Sequence, residues 1–168
     1  MIVSIIAAIS ENNAIGKDNK LLWKLSSDMK IFRTLTTGHH VIMGRKTFDS
    51  MGAKPLPNRT NVIISRNLDY EIENCETAIS LAEALSLASQ NGDKEAFIIG
   101  GGEIYKLGLY VADILYITHV HTNIEGDTFF PIIDQIIWEL QTKESHLSDE
   151  KNEFNFDFCV YKRISTDD

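Results

Sequence analysis

Two stretches restrict the fold more than anything else in the chain: "VSIIAAI" at residues 3–9 and "AFIIG" at 96–100. Both are short, nearly unbroken apolar runs rich in β-branched or small residues. A strand with one wet face alternates apolar and polar residues, whereas a strand covered on both faces does not. These runs therefore belong in a sheet with helices on either side. Further β-rich runs lie at 40–43, 61–65, near Cys75 and at 114–120, and they alternate with helical patterns at about 27–36, 46–51, 81–89 and 103–107. That alternation predicts an α/β fold built on one mostly parallel sheet.

The C-terminal part follows another rule. "WELQTKESH" and "FNFDFCVYKR" are joined only by the polar "LSDEKNE". In the second run Phe154, Phe156, Phe158 and Val160 alternate with polar or smaller residues, a period of two. A parallel crossover needs about a dozen residues, so this pair is expected to form an antiparallel hairpin at the sheet edge. With 168 residues and no repeat, low-complexity tract or linker, the whole of 1–168 reads as a single domain.

Charge and cysteine usage remove several function classes. The net charge is −8, without any Lys/Arg run, which argues against nonspecific nucleic-acid binding. Any anion must be caught by a local cluster. Cys75 and Cys159 are far apart and show no metal-like spacing, which fits free thiols in the cytoplasm and no metal site. No apolar run has membrane-spanning length. "MIVSIIAAIS" has no preceding positive charge and Glu11 follows it, so it is expected to be a first strand and not a signal segment.

One helix carries an anomaly. In "KLSSDMKIF", a helix starting at Ser26 or Ser27 places Leu25, Asp28, Met29, Phe32 and Leu35 on one face. An acid in a first helical turn is ordinary on dipole grounds. An acid among four apolar neighbours on the inward face also suits a buried ligand with N–H donors.

Three predicted strand ends carry phosphate chemistry. "VIMGRKTF" is a strand, a glycine turn, and Arg45, Lys46 and Thr47 opening a helix; "VIISR" ends in Ser65 and Arg66; "FIIGGGEIY" is a strand, three glycines and a helix start. The triple glycine is not the GxGxxG dinucleotide fingerprint. Taken together the three ends suit an extended anion with two or more phosphates.

In order and spacing, "IIAAIS", "LLWKLSSDMKIF", "VIMGRKTFDSMGAKPLPNR", "NVIISR", "FIIGGGEIY", "LYITHV" and "EGDTFFP" resemble the dihydrofolate reductase family from end to end. The resemblance implies an eight-stranded sheet with a reversed last strand and four flanking helices. It also implies NADPH-dependent reduction of 7,8-dihydrofolate to tetrahydrofolate by a cytoplasmic monomer that antifolate inhibitors would target.

Residue by residue, it implies that Asp28 is the acid that hydrogen-bonds the pterin ring. Thr118 holds it from behind, Trp23 orders a water beside it, and Leu21 lies on a mobile loop over the ring. Ile6, Ala8, Met29, Phe32, Met51 and Leu56 would wall the folate pocket, and Arg59 would pair with the glutamate carboxylate of the substrate. On the cofactor side, Arg45, Lys46, Thr47, Ser65 and Arg66 would meet the phosphates, with Gly44 at the turn. Gly101 and Gly102, joined in the family by a cis peptide, would approach the cofactor, flanked by Ile99, Glu103 and Ile104. Tyr105, Ala8, Ile15 and Gly16 would lie near the nicotinamide. The segment 16–22 is expected to act as a lid steadied by Gly126 and Asp127.

The chain departs from the family pattern at Leu22 and Ser26, where prolines are common, so the segment before the Asp28 helix has more backbone freedom. A pyrimidine reductase of riboflavin synthesis on the same scaffold would need cations where Trp23, Asp28 and Phe32 stand. A non-catalytic nucleotide module would have no use for Asp28 with Thr118.

Overall fold

The computed structural model describes residues 1–18, 20, 22–67 and 69–165. In chain order the elements are β1 (Ile2–Ser10), β2 (Ala14–Gly16), α1 (Ser26–Thr36), β3 (His40–Gly44), α2 (Arg45–Ser50), β4 (Thr60–Ile64) and β5 (Glu76–Ala78). They continue with α3 (Leu81–Gln90), β6 (Glu95–Gly100), α4 (Gly102–Gly108), β7 (Ile114–Val120), β8 (Thr128–Phe129), β9 (Trp138–His146) and β10 (Phe156–Arg163). Eight strands form one sheet in the order β5-β4-β3-β6-β1-β7-β10-β9. Strands β1, β3, β4, β5, β6 and β7 are mutually parallel. β10 runs antiparallel to both β7 and β9, as the period-two pattern and the short connection require.

The apolar runs earn their central position by burying both faces. From β1, Ile5, Ala7 and Ile9 join Leu81, Ala84 and Ala88 of α3 and Tyr105 of α4 on one side. Ile6 points the other way, into a cluster with Val41, Met43, Ile63 and Phe97, against which Phe32 and Leu35 of α1 pack. Helix α3 is delimited by local chemistry. Ser80 Oγ accepts from the Glu83 N–H at 3.1 Å, and Gly92 at φ +80° follows the last turn.

Two features lack a pattern in the sequence. A separate two-stranded sheet joins β2 to β8; strands of three and two residues are too short to display any period. At the amino ends of β3 and β6, Asp93 accepts from His39 Nδ1 at 2.8 Å, from His40 Nδ1 at 2.7 Å and from the His40 backbone N–H at 2.6 Å. Burial alone would raise the Asp93 pKa, but these bonds and one from the Glu95 N–H hold it at about 2. This clip lies at the end of the sheet opposite the three phosphate-type ends.

Candidate active site

Parallel strands present their carboxyl ends along one edge, and β4, β3 and β6 are adjacent there. Gly44 pairs with Ile64, so Arg45 and Ser65 are the first residues beyond neighbouring strand ends. Three ends at normal strand spacing cover roughly 10 Å, the scale of a pyrophosphate with its flanking groups. Arg45 stacks over the Tyr70 ring at 4.2 Å and lies 4.0 Å from Asp49. Ser65 is buried, Thr47 half-buried, and Lys46, Arg66 and Glu103 are exposed.

The glycine loop after β6 is built for close approach. A Cβ on Gly101 would stand 3.0 Å from Thr47 Oγ1, and one on Gly102 would stand 3.0 Å from Thr128 Cγ2. The cis peptide joins Gly100 to Gly101, one residue earlier than the resemblance assigned it. Three consecutive glycines look alike in sequence, and the β3–β6 register slips at the same place, between Ile42 and Met43, so that Met43 pairs with Gly100. Behind the loop, the buried Tyr105 hydroxyl is shared between the carbonyls of Ile6 at 2.9 Å and Ile99 at 2.8 Å. Burial, with the charge of Asp28 added, pushes this phenol above the usual tyrosine range, so it stays a donor. Ile15 and Ile104 pack on the same side of the sheet as Tyr105.

Next to this loop is the acid. Thr118 of β7 pairs in register with Ala8 of β1, and its Oγ1–H donates to Asp28 Oδ1 at 2.5 Å. Asp28 Oδ2 receives no hydrogen bond from any described residue. Burial pushes the Asp28 carboxyl up, and the Thr118 bond and the charge of His146 oppose that push only in part. Phe32, Met51 and Leu56 pack beside Ile6 and Ile99. Trp23 and Ala8 flank a smaller cluster of Leu25, Val120 and Phe156. Met29 is 54% exposed and packs into none of the core clusters of the described residues. Leu21 lies outside the described residues.

At the far end of this cleft Arg59 is already oriented. Its Nε donates to the Pro57 carbonyl at 2.9 Å and its Nη1 to Thr36 Oγ1 at 3.2 Å. The remaining N–H groups of the fork match a carboxylate.

The described residues of the segment after β2 meet the loop of Gly126 and Asp127. The Asp127 N–H donates to the Gly16 carbonyl at 3.0 Å, and the Asp18 N–H donates to Asp127 Oδ2 at 2.8 Å. Gly126 sits so close to β2 that a Cβ there would fall 2.7 Å from the Ala14 Cβ. On the reaction that the resemblance implies, Asp127→Ala should therefore slow the hydride step or product release while the protein stays folded. Stopped-flow single turnovers beside steady-state rates would check this, and unchanged kinetics at every step would remove the coupling.

A nucleotide-sized row of strand ends beside a desolvated acid defines an α/β enzyme that holds a phosphorylated cofactor against a flat polar ligand. The family model for dihydrofolate reductase matches residues 2–163. Dihydrofolate reductase from Bacillus subtilis (strain 168) is 42% identical over 161 residues, covering 96% of this chain and 94% of that protein. The Haemophilus influenzae dihydrofolate reductase is 43% identical over 163 residues, covering 97% and 99%. Dihydrofolate reductase from Enterococcus faecalis, solved in complex with NADP(H) and RAB-propyl, superposes with a TM-score of 0.90 at 38% identity, over 98% of this chain and 97% of that one. The chain belongs to the dihydrofolate reductase family.

Proposed function

We propose that this enzyme carries out the reduction of 7,8-dihydrofolate to 5,6,7,8-tetrahydrofolate, the NADPH-dependent reaction that supplies one-carbon metabolism, with its cleft divided between two sets of residues. The carrying observation is the Asp28–Thr118 pair beside Ala8, a carboxylate with one oxygen tied to the protein and the other available. A pterin edge with two N–H donors matches such a carboxylate, and desolvation strengthens those bonds. Ile6, Ala8, Met29, Phe32, Met51 and Leu56 bound the ring and its linker, and Arg59 takes the glutamate carboxylate. Antifolate inhibitors compete for the same walls. The raised Asp28 pKa favours a proton on the acid or its partner ring, which assists protonation at N5. Trp23 holds a water in the path of that proton.

NADPH, when bound, supplies the hydride that reaches C6. Its fit rests on the strand ends: Gly44, Gly101 and Gly102 let backbone approach, and Thr47 and Lys46 take the pyrophosphate. Arg45, Ser65 and Arg66 take the 2′-phosphate, with Glu103 beside them. Ala8, Ile15, Gly16, Ile99, Ile104 and Tyr105 line the nicotinamide side. Loss of NADPH absorbance on adding dihydrofolate tests the reaction, and binding without turnover would sink it.

Arg45→Ala tests the cofactor assignment. A lost charge-assisted bond costs about 1.5–3 kcal/mol, so NADPH affinity should fall roughly 10- to 100-fold. NADH affinity should change much less, as read by fluorescence titration; equal losses for the two would place Arg45 elsewhere. The same reading takes the enzyme to be a single-domain cytoplasmic monomer that binds no nucleic acid; the net charge of −8 without a Lys/Arg run supports the last of these.

A further inference from the structure

Helix α1, which carries Asp28, begins without a cap of its own. The N-cap position is Leu25, whose side chain makes no capping bond, where Ser, Thr, Asp or Asn would normally serve. Thr36, at the far end, is the only buried residue among the helix's described positions. The end that holds Asp28 must therefore be tied down from outside.

The tie comes from the turn between β9 and β10. The Ser26 N–H donates to the Lys151 carbonyl at 3.1 Å, a bond that a proline at this position could not make. The Ser27 N–H donates to Asn152 Oδ1 at 3.0 Å, and Asn152 Nδ2 donates back to Ser27 Oγ at 3.1 Å. Asn152 is only 3% exposed. It is held in turn by Asp149 Oδ1, which accepts from Asn152 Nδ2 and from the Asn152 backbone N–H, each at 2.9 Å. On the other side of the helix start, the Glu153 N–H donates to the Lys24 carbonyl at 3.1 Å, and the Lys24 N–H donates to Glu153 Oε1 at 2.7 Å. The residue after Ser27 is Asp28.

We propose that Asn152 is a positioning residue for the reaction: from a turn remote in sequence it caps α1 and sets where the Asp28 carboxylate stands. This rests on the catalytic reading of Asp28. Two tethers fix that carboxylate, the Thr118 hydroxyl on the sheet side and the Asn152 cap on the helix side. With the Asn152 side chain gone, the Ser27 N–H and hydroxyl lose their partner, and the helix start is left to the Lys151 carbonyl and the Lys24–Glu153 pair. Misplacement of a reacting group by about 1 Å costs on the order of 100-fold.

Asn152→Ala should lower the single-turnover hydride rate and raise the KM for dihydrofolate, for a combined loss of roughly 10- to 100-fold in kcat/KM. The Kd for NADPH should stay unchanged. Asp149→Ala, at an exposed position, removes the carboxylate that orients Asn152 and also accepts from the Lys151 N–H at 2.8 Å, and it should act in the same direction, more weakly; it also serves if Asn152→Ala folds poorly. The deciding measurement repeats Asn152→Ala in an Asp28→Asn background, where a residue that works through Asp28 has little left to lose. The same fold-loss in both backgrounds would overturn the proposal, as would a lowered melting temperature with unchanged kinetics. Normal turnover by Asp28→Asn itself would remove the catalytic reading instead, so the two failures are distinguishable.

Discussion

Asp28→Asn is expected to slow dihydrofolate reduction by about 100- to 10,000-fold at neutral pH, the usual cost of removing an acid–base group. The substitution keeps size and an oxygen at the Oδ1 position, so the Thr118 Oγ1–H retains its acceptor. What disappears is the charge facing the ligand. The surviving activity should depend on substrate already protonated in solution and should recover as pH falls. NADPH affinity should remain near normal, since Asp28 serves the ring and not the phosphates.

Stability gives an independent reading, with a definite sign. Burial raises the folded-state Asp28 pKa above its ordinary 3.8. A carboxylate with a raised pKa costs stability in its charged form: the cost is absent below about pH 3.8, grows as pH rises through the folded value, and is complete above it. The ligand-free Asp28→Asn variant should therefore melt at or above the temperature of the parent at neutral pH, with the difference shrinking on acidification. An acid present only to complement the helix dipole predicts the reverse. Its loss would cost up to about 1 kcal/mol of stability and leave turnover and its pH profile intact. A destabilised variant with normal turnover would end the catalytic reading.

Gly100→Ala is expected to destabilise the protein more than any other glycine-to-alanine change at a positive-φ glycine. Gly100 has φ +123°, a region that costs a side chain about 1–3 kcal/mol. Its new Cβ would also lie 3.2 Å from Tyr105 Cε2 and 3.3 Å from Cζ and the hydroxyl oxygen. That ring cannot retreat cheaply, because it is buried and its hydroxyl is committed to the Ile6 and Ile99 carbonyls. Overpacking of this kind adds about 1–3 kcal/mol, and the sum should lower the melting temperature by on the order of 10 °C. Gly38→Ala is the control: φ is +86° there, but nothing lies within 4 Å of the added methyl. Equal melting temperatures for the two variants would show that Tyr105 does not constrain the loop.

Several elements were legible because their causes are local. The apolar runs of β1 and β6 announce burial on two faces, and Phe154, Phe156, Phe158 and Val160 announce the antiparallel hairpin at the sheet edge, each within a window of about ten residues. The inward acid at position 28, Gly44 with Arg45 and Lys46, and Ser65 with Arg66 could be read as chemistry waiting for a ligand. Their order along the chain was specific enough to identify the family before any coordinate was known.

What only the tertiary structure decided are the relations between groups remote in sequence. Asp28 meets Thr118 across 90 residues, and Ser27 meets its cap Asn152 across 125. Periodicity reports how one element divides its own faces; it carries no record of which distant donor fills an empty helix end. The β2–β8 pair is too short to show a period at all. Which two of three adjacent glycines share the cis peptide, and how far Met29 is left exposed, are likewise seen only in the folded chain. Sequence determines the propensity and the face of each segment. Partners, and therefore the burial that shifts Asp28 and the cap that holds its helix, exist only when the segments are brought together.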